Sequence, residues 1–330
     1  MTEGRDHELG SPGRGPTLVS GVIRAGTALS RSDPFMRYDS EASGSERQRG
    51  GSPVTLTYLG VHAVFVLPVL ALLWWRRPTL PPGRRRVARA GLLLMGTVAF
   101  AYTTPWDNLL IERGAWAYGE GRVFARVWAA PVGEYLFFAL QTSLVGLWLY
   151  RVDFDPTPVA GDTARVPRAL GALAWLVLAG IGGWLVLAGP TRFLYLGAIL
   201  AWACPVLALQ WAVGGAFLLR RPRPITVAVG VPTLYLWVVD RIAIADGVWT
   251  VAAETSTGVH LLGLPIEEAV FFLVASALVV NGLVLFEWVL LRFRPHPAGI
   301  DRARALDDST EPAPGTGDAA TDTDPTGIAD

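Results

Sequence analysis

Two adjacent glutamates open a long apolar segment late in the chain. The sequence LPIEEAVFF spans 264–272, and no charged residue lies between Glu268 and Glu287. Carboxyl groups removed from water favour their protonated form, so one can donate a proton while its neighbour stays a base. Glu267 and Glu268 therefore indicate acid–base chemistry at the edge of an apolar region. Helix capping is the alternative, since proline favours the first helical turn and glutamate its positive end.

Three blocks of sequence recur in the same order, which predicts an internal duplication. The acidic block has a partner, PVGEYLFF at 131–138, that carries Glu134 but has Gly133 in place of the first glutamate. The other pairs are YLGVHAVFVLPVLAL at 58–72 with YLGAILAWACPVLAL at 195–209, and WDNLLIERGAW at 106–116 with VDRIAIADGVW at 239–249. The offsets are nearly constant, at 137, 133 and 134 residues. Unrelated apolar helices are not expected to share Asp, Gly, Trp, Pro and Glu at such a spacing.

The duplication predicts a cluster of carboxyl groups. Asp107 and Asp240 end one predicted helix in each copy, and Glu134 and Glu268 begin the next helix on the same side of a membrane. We expect these four groups to surround one central cavity, and we expect them and Glu267 to act as catalytic acids and bases. Ionisable groups at membrane depth are costly, and they usually serve a function.

Aromatic residues accompany these carboxyl groups in both copies. They are Trp116, Trp249, Phe137, Phe138, Phe271 and Phe272. Aromatic ring faces attract cations, so these side chains can stabilise a cationic intermediate. Packing and membrane-interface anchoring are their alternative roles. An acid, a base and aromatic walls in a lipid-accessible cavity are what a proton-initiated cyclisation of a polyene requires.

Composition predicts an all-α polytopic membrane protein. The chain has 330 residues, of which 52% are hydrophobic, and its mean hydropathy is +0.38. Apolar segments long enough to cross a bilayer are found at 54–75, 87–105, 131–150, 169–188, 192–219, 224–243 and 265–291. We interpret helices 1–3 and 5–7 as two three-helix repeats, and helix 4 as the linker between them. An odd linker gives both repeats the same orientation, so the seven transmembrane helices form two parallel repeats.

The pattern divides the chain into five parts. They are a disordered N-terminal tail at 1–52, repeat 1 at 53–154, a linker with helix 4 at 155–190, repeat 2 at 191–294, and a disordered acidic tail at 295–330. Neither tail has the apolar periodicity of a folded element, and both are rich in small or polar residues.

Charge sets the expected topology. The loops after helices 1, 3, 5 and 7 hold sixteen arginines, whereas the intervening loops hold five. Because basic loops stay in the cytoplasm, we expect a multi-pass cell-membrane protein with its N-terminus outside and its C-terminus cytoplasmic. The seven arginines of the N-terminal tail count against this orientation. The net charge of zero gives no attraction to nucleic acid.

Metal and thiol chemistry find little support in the sequence. Cys204 is the single cysteine, so an intrachain disulfide or a cysteine-based metal cage cannot form. Neither His62 nor His260 lies at a spacing typical of metal ligands. We favour a packing or hydrogen-bonding role for His62 and a position at the membrane interface for His260. No metal site is predicted.

At the repeated blocks, over about residues 54–291, the chain resembles the membrane-integral lycopene cyclases of archaea, some actinobacteria and fungi. That family is likewise built from two related three-helix units, sometimes encoded as separate subunits. The resemblance implies lycopene β-cyclase activity in carotenoid biosynthesis, without net redox change and without a cofactor. Our hypothesis for this reaction is that Glu268 protonates a terminal double bond and that Glu267 or Glu134 acts as the base. Its implied partners are lycopene, membrane lipid and other enzymes of the carotenoid pathway.

Other functions remain as alternatives. The enzyme can instead act on a fifty-carbon carotenoid, since nothing in the spacing measures the depth of the cavity. A carboxylate-lined transporter is a non-enzymatic alternative. A retinal protein is disfavoured because the chain has no lysine for a Schiff base. A prenyltransferase is disfavoured because Asp240 and Asp246 lack the second acidic cluster that would hold Mg²⁺-diphosphate.

Overall fold

The computed structural model describes residues 55–293, so the predicted tails at 1–52 and 295–330 lie outside this range. Within it, seven helices are long and apolar enough to cross a membrane. They are α1 (Tyr58–Trp75), α2 (Pro82–Glu112), α3 (Val132–Leu149), α4 (Arg165–Ala188), α5 (Thr191–Leu219), α6 (Pro222–Ala245) and α7 (Ile266–Arg292). The prediction of an all-α polytopic protein with seven spans is confirmed.

Helix α2 is the main departure from the predicted boundaries. It begins five residues before the predicted 87–105 segment and ends seven residues after it. Hydropathy marks only the apolar centre of a span, whereas helical hydrogen bonding continues through polar turns at both ends. The added C-terminal turns carry Asp107 and Asn108, so this extension positions part of the carboxyl cluster.

Helix α1 contains a π-helical turn at His62–Val66. The turn comes just before Pro68, which has no backbone N–H with which to continue an α-helical ladder. Single π-helical turns insert an extra residue and change the direction in which the neighbouring side chains point. In this helix the turn begins at His62, which is buried at 2% exposure and faces the interior of the bundle.

Three short strand pairs cluster at one end of the bundle, which we call the hairpin end. The strands are β1 (Trp116–Tyr118), β2 (Arg126–Val127), β3 (Ala130–Pro131), β4 (Trp249–Val251), β5 (His260–Leu261) and β6 (Leu264–Pro265). Strand β1 pairs antiparallel with β4 and joins the two sequence copies directly. The β2–β3 and β5–β6 hairpins lead into α3 and α7. Their turns contain Trp128 and Leu262, 134 residues apart, with positive φ angles of 62° and 52°.

Helices α3 and α7 occupy the centre of the bundle, and α4 lies at its periphery. The most apolar window of α7 is 61% buried, whereas that of α4 is 6% buried. Helix α7 packs against α2, α3, α5 and α6, and α4 packs mainly along α5. This arrangement agrees with α4 as a linker. The exact repeat boundaries, 53–154 and 191–294, stay a prediction.

The opposite end of the bundle carries the arginine-rich connections, and we call it the arginine-rich end. Arg84 on α2 contacts Glu287 on α7 at 3.0 Å. Asp162, in the connection between α3 and α4, is bridged by Arg220 at 3.5 Å and by Arg221 at 3.2 Å. These pairs tie the ends of the helices together, because each acidic partner is nearly fully buried and its charge needs compensation.

The α4–α5 interface predicts unequal tolerance of two adjacent glycines. A Cβ on Gly182 would lie 2.6 Å from the backbone nitrogen of Ala201, whereas a Cβ on Gly183 would meet nothing within 4 Å. Both alanine substitutions add the same helix propensity, so their difference isolates the steric effect. We expect Gly182→Ala to be about 1–3 kcal/mol less stable than Gly183→Ala, as is usual for overpacking. Thermal unfolding of the detergent-solubilised variants measures this difference, and equal melting temperatures would contradict the close helix approach.

Asn108 predicts a second stability effect, at the hairpin end. Its Oδ1 accepts hydrogen bonds from the backbone N–H groups of Ala129 and Ala130, both at 2.9 Å, and its Nδ2 donates to the Thr104 carbonyl at 2.8 Å. Asn108→Ala leaves these buried groups unpaired, and we expect a loss of about 2–4 kcal/mol. Ser143→Ala on α3 is the control, since its hydroxyl bonds only within its own exposed helix turn. Thermal unfolding and limited proteolysis of the 113–131 loop measure the effect.

Candidate active site

Four of the five predicted carboxyl groups line one cavity at the hairpin end. Asp107 and Glu134 come from the first sequence copy, and Asp240 and Glu268 come from the second. The Asp107, Asp240 and Glu268 side chains are buried within the bundle, Glu134 is partly buried, and the cavity has a volume of about 60 Å³. The structure therefore brings together the residues that the repeat pattern matched. Their catalytic roles are considered below as a proposal.

Each glutamate of the cavity accepts a hydrogen bond from a tyrosine. The Tyr118 hydroxyl donates to Glu134 Oε1 at 2.6 Å and in turn accepts from Trp116 Nε1 at 2.8 Å. The Tyr195 hydroxyl donates to Glu268 Oε1 at 3.0 Å. These bonds fix the positions of both carboxyl groups and satisfy one oxygen of each in an apolar environment.

Tyr118 lies on β1, outside the membrane-spanning helices. Burial and the neighbouring Glu134 carboxyl raise the pKa of Tyr118 well above its usual range. The phenol therefore keeps its proton at physiological pH and acts as a hydrogen-bond donor toward Glu134. The β1–β4 pair holds this donor, since Tyr118 is registered opposite Trp249 across the two copies.

The two aspartates are less fully paired than the glutamates. Trp249 Nε1 donates to Asp240 Oδ1 at 3.0 Å. Within residues 55–293, the Oδ2 atoms of Asp107 and Asp240 are buried and have no hydrogen-bond partner. Buried polar atoms without partners are uncommon in proteins and often mark a functional site. Each copy thus supplies one buried carboxyl oxygen that has no hydrogen-bond partner among the described residues.

Glu267 points away from this cavity, although it adjoins Glu268 in sequence. Its Oε1 accepts a hydrogen bond from the backbone N–H of Thr257 at 2.7 Å, and its side chain is 0% exposed. Successive residues on a helix face different directions, so only one member of the pair can point into the cavity. The predicted catalytic role of Glu267 stays untested, while its contacts are those of a group that anchors the loop before β5.

Aromatic rings form most of the remaining cavity wall. The six predicted rings, Trp116, Trp249, Phe137, Phe138, Phe271 and Phe272, all line the cavity. Phe137 and Phe272, from opposite copies, meet edge to face with ring centroids 6.0 Å apart. Phe271 stacks on Trp106 at 6.0 Å, and Trp106 stacks on Trp202 at 4.9 Å. The cavity wall therefore consists of mutually packed ring faces and edges drawn from both copies.

Sequence reasoning did not predict four aromatic or polar residues that line the cavity, which are Tyr58, His62, Trp106 and Tyr195. It also did not predict Tyr118, which lies outside the lining and donates to Glu134. Tyr58 and Tyr195 begin the matched YLG blocks, so the duplication contained a signal that points to both. Trp106 directly precedes Asp107, but its counterpart in the second copy is Val239 and the repeat does not mark it. Tyr118 lies beyond the matched blocks, and only the strand pairing places it beside Glu134.

The two described histidines differ in position. His62 lines the cavity, and its Nε2 lies 3.0 Å from the carbonyl oxygen of Gly133, so Nε2 carries the proton of this bond. The predicted hydrogen-bonding role of His62 is therefore observed. His260 is exposed on β5, and its Nδ1 lies 3.0 Å from the Gly258 carbonyl. In the part of the chain that the structure describes, no group of three or more His, Cys, Asp or Glu side chains is arranged to hold a metal ion.

Comparison with known proteins identifies curated relatives of one kind. No protein-family model matches the chain, and no solved structure matches it significantly. The lycopene beta-cyclase of Halobacterium salinarum, from two strains, is 50% identical to it over 242 residues, which are 73% of this chain and 100% of the relative.

Fungal relatives match over the same region. The bifunctional lycopene cyclase/phytoene synthase of Phycomyces blakesleeanus is 36% identical over 236 residues, which are 68% of this chain and 38% of the relative. The corresponding protein of Aspergillus oryzae is 34% identical over 244 residues, covering 71% of this chain and 40% of the relative. Since the chain also covers the archaeal relative along its whole length at 50% identity, it belongs to the lycopene beta-cyclase family.

Proposed function

We propose that this protein is a lycopene β-cyclase that closes the acyclic ψ-ends of lycopene into β-rings within the membrane. One observation carries the proposal: two hydrogen-bonded glutamates and two partly unpaired aspartates face the same aromatic cavity inside an apolar bundle. The names of the archaeal and fungal relatives specify lycopene as the substrate class. The cavity supplies the acid, the base and the cation-stabilising walls of the reaction.

The reaction begins with a proton transfer from a carboxyl group. Glu268 donates its proton to C2 of the terminal double bond, which leaves a tertiary cation at C1. The second double bond attacks this cation, the C1–C6 bond forms, and the positive charge moves to C5. Loss of the proton at C6 then creates the ring double bond. One proton enters and one leaves, so the end group isomerises without a change in oxidation state.

The first copy supplies the base in this scheme. Glu134 lies in the same cavity as Glu268, and the Tyr118 hydroxyl donates to it at 2.6 Å, whereas the bond from Tyr195 to Glu268 is 3.0 Å. The shorter bond stabilises the charged, proton-accepting form of Glu134 more strongly. Asp107 and Asp240 border the same space, and their unpaired oxygens can return the proton to Glu268 between turnovers. Phe137, Phe271 and the neighbouring rings stabilise the travelling cation with their faces. In this scheme each copy supplies one glutamate and one aspartate to the site.

Entry of the end group requires side-chain movement. A cavity of about 60 Å³ is smaller than a branched isoprenoid end group. Phe137 and Phe271 border the cavity where it meets the apolar space between the helices. Rotation of these rings widens the cavity, and their return closes it around the cation, so that water is excluded.

The cellular setting follows from the same scheme. Lycopene dissolves in the lipid phase, so the enzyme works as a multi-pass protein of the cell membrane in contact with lipid. The arginine-rich end faces the cytoplasm, which leaves the N-terminus outside and the C-terminus inside. No cofactor takes part, because a proton is the only species exchanged. Other enzymes of the carotenoid pathway are partners through the shared membrane pool of substrate and product.

The adjacent glutamates provide a matched test of this mechanism. Glu268→Gln removes the acid but keeps the shape, and we expect conversion of lycopene to fall at least about 100-fold, as for loss of a general acid. Glu267→Gln retains an oxygen that can accept from Thr257, and we expect activity within a few-fold of the unsubstituted protein. Pigment chromatography after expression in a lycopene-accumulating host measures both.

Immunoblotting of membrane fractions is the control for insertion of both variants. Equal membrane levels with activity lost only in Glu268→Gln support the assignment. Full activity in Glu268→Gln would exclude it as the acid. Loss in Glu267→Gln at normal membrane levels would instead move a catalytic role to that residue.

Tyr195 generates a graded prediction. Tyr195→Phe removes the hydroxyl that positions Glu268 and leaves the ring in place. A hydrogen bond to an ionisable group contributes about 1.5–3 kcal/mol, so we expect the initial rate to fall roughly 10-fold or more, with little change in KM. Tyr235→Phe is the control, because that hydroxyl donates to the Phe65 carbonyl instead of to a cavity carboxyl. Equal rates in the two variants would show that Tyr195 does not support Glu268.

A further inference from the structure

A long apolar groove continues from the carboxyl cavity toward the arginine-rich end. Its volume is about 550 Å³, within the range of about 300–1,000 Å³ that is usual for ligand sites. It shares Phe137, Phe138 and Phe271 with the cavity, so the two spaces adjoin. Among the residues that the structure describes, no charged side chain lines the groove. A ligand that fills both spaces therefore has one end at the carboxyl groups and an uncharged body along the helices.

The groove lies between α2 and α5, with α7 as its floor. Both helices pack against α7, but few of their residues approach each other. They are bridged near the hairpin end, where Tyr102 donates to the Trp202 carbonyl at 2.9 Å and Trp106 donates to the Ala198 carbonyl at 3.0 Å. Beyond this bridge the rim is open, and Leu209 on the α5 side is 65% exposed. In a bilayer this rim faces lipid, which is where a carotenoid resides.

The shape of the groove fits an extended chain. Its floor runs from Phe271 to Val289 on α7, eighteen residues, which corresponds to about 27 Å at the helical rise of 1.5 Å per residue. This length is close to the roughly 30 Å thickness of a bilayer core. A compact ligand would leave most of such a groove empty, whereas a rod-like conjugated chain follows it.

The position in the first copy that corresponds to Gly282 holds a large side chain, Trp148. Trp148 and Gly282 are 134 residues apart, the same offset as Glu134 and Glu268. The Trp148 ring packs among residues of α1 and α3, and its Nε1 donates to the Val227 carbonyl of α6 at 3.1 Å. It thereby occupies the space between α1 and α6 that corresponds to the groove. At Gly282 there is no side chain, and the groove-lining Met95 lies over it, since a Cβ there would clash with Met95 Sδ and would lie 3.5 Å from Gln210 Nε2.

We propose that the α2–α5 groove binds the polyene chain of the substrate, with one end group in the carboxyl cavity, and that Gly282 keeps this groove open. The proposal rests on the proposed cyclase function and locates its substrate. The groove itself offers no charged partner for a phospholipid headgroup. Within residues 55–293, Trp148 fills the corresponding space in the other copy, so the proposal has one end of the molecule bound at a time.

Two groove variants and one matched control test this site. Gly282→Trp introduces a tryptophan, the residue type that fills the corresponding space between α1 and α6 in the other copy. Leu209→Trp blocks the groove at the same depth from an exposed wall position, and it carries less risk of misfolding. Leu93→Trp on α2 is the control, because Leu93 is 73% exposed and does not line the groove. All three are assayed in membranes with lycopene and with a truncated apo-lycopenal that retains one ψ-end.

The truncated substrate distinguishes a blocked groove from a damaged protein. Phe271 and Gly282 are eleven residues apart, or about 16 Å, so a chain shorter than this ends before the new tryptophan. We expect both groove variants to convert lycopene at least about 10-fold more slowly while they convert the short substrate at near the unsubstituted rate. Leu93→Trp is expected to convert both normally.

The outcomes separate the two proposals. If the unsubstituted protein converts neither substrate, the cyclase function itself fails. If it converts lycopene and both groove variants do so equally well, the polyene lies elsewhere and the groove assignment is overturned. If a membrane-inserted groove variant loses both substrates equally, the effect is on the catalytic cavity and the assignment is again overturned. Selective loss of lycopene conversion supports it.

Discussion

The burial of four carboxyl groups in an apolar bundle is the constraint on which the rest of this structure depends. An ionisable group at membrane depth is costly unless polar partners surround it. In this structure the hydrogen-bond donors to the carboxyl groups come from two places. The β1–β4 pair carries Tyr118 and Trp249, and the start of α5 carries Tyr195. The hairpins then fix the first turns of α3 and α7, from which the two glutamates enter the cavity. Hydrogen bonds to Glu134, Glu268 and Asp240 reduce the cost of placing these carboxyl groups in an apolar bundle. The Oδ2 atoms of Asp107 and Asp240 have no partner among the described residues, and they are the oxygens that the proposed mechanism uses.

The internal repeat was the sequence feature that predicted most of the candidate site. It matched Asp107 with Asp240 and Glu134 with Glu268, and these residues, with the six predicted aromatic rings, line one cavity. Recurrence could not indicate which way a side chain points. Glu267 belongs to the same short motif as Glu268, yet the helix turns it toward Thr257. Trp106 and Tyr118 lack a matching residue in the other copy, and their positions depend on packing between helices and on strand register, which periodicity does not encode.

Hydropathy predicted the seven spans, but it missed the polar ends of α2. The C-terminal extra turns carry Asp107 and Asn108, so the site begins in a polar turn beyond the apolar centre of the helix. The two copies have also diverged in a way that serves a single cavity. Gly133 replaces the first glutamate in copy one, and its carbonyl accepts a hydrogen bond from His62 instead. The copies thus contribute unequal parts to one site, and neither copy alone contains both the acid and the base proposed for it.

Trp148 fills its position in the first copy, whereas Gly282 leaves the matching position without a side chain. This difference affects the order in which the two rings of one lycopene molecule are closed. In the proposed single-groove arrangement, a molecule that has two reactive ends must leave, reverse and bind again before its second ring can close. Catalysis is then distributive rather than processive. The one-ringed carotenoid becomes a free membrane species that competes with fresh lycopene for the same groove. The balance of one-ringed and two-ringed pigment is accordingly set by the ratio of enzyme to substrate, and an enzyme that consumes the one-ringed compound can draw on it at this step.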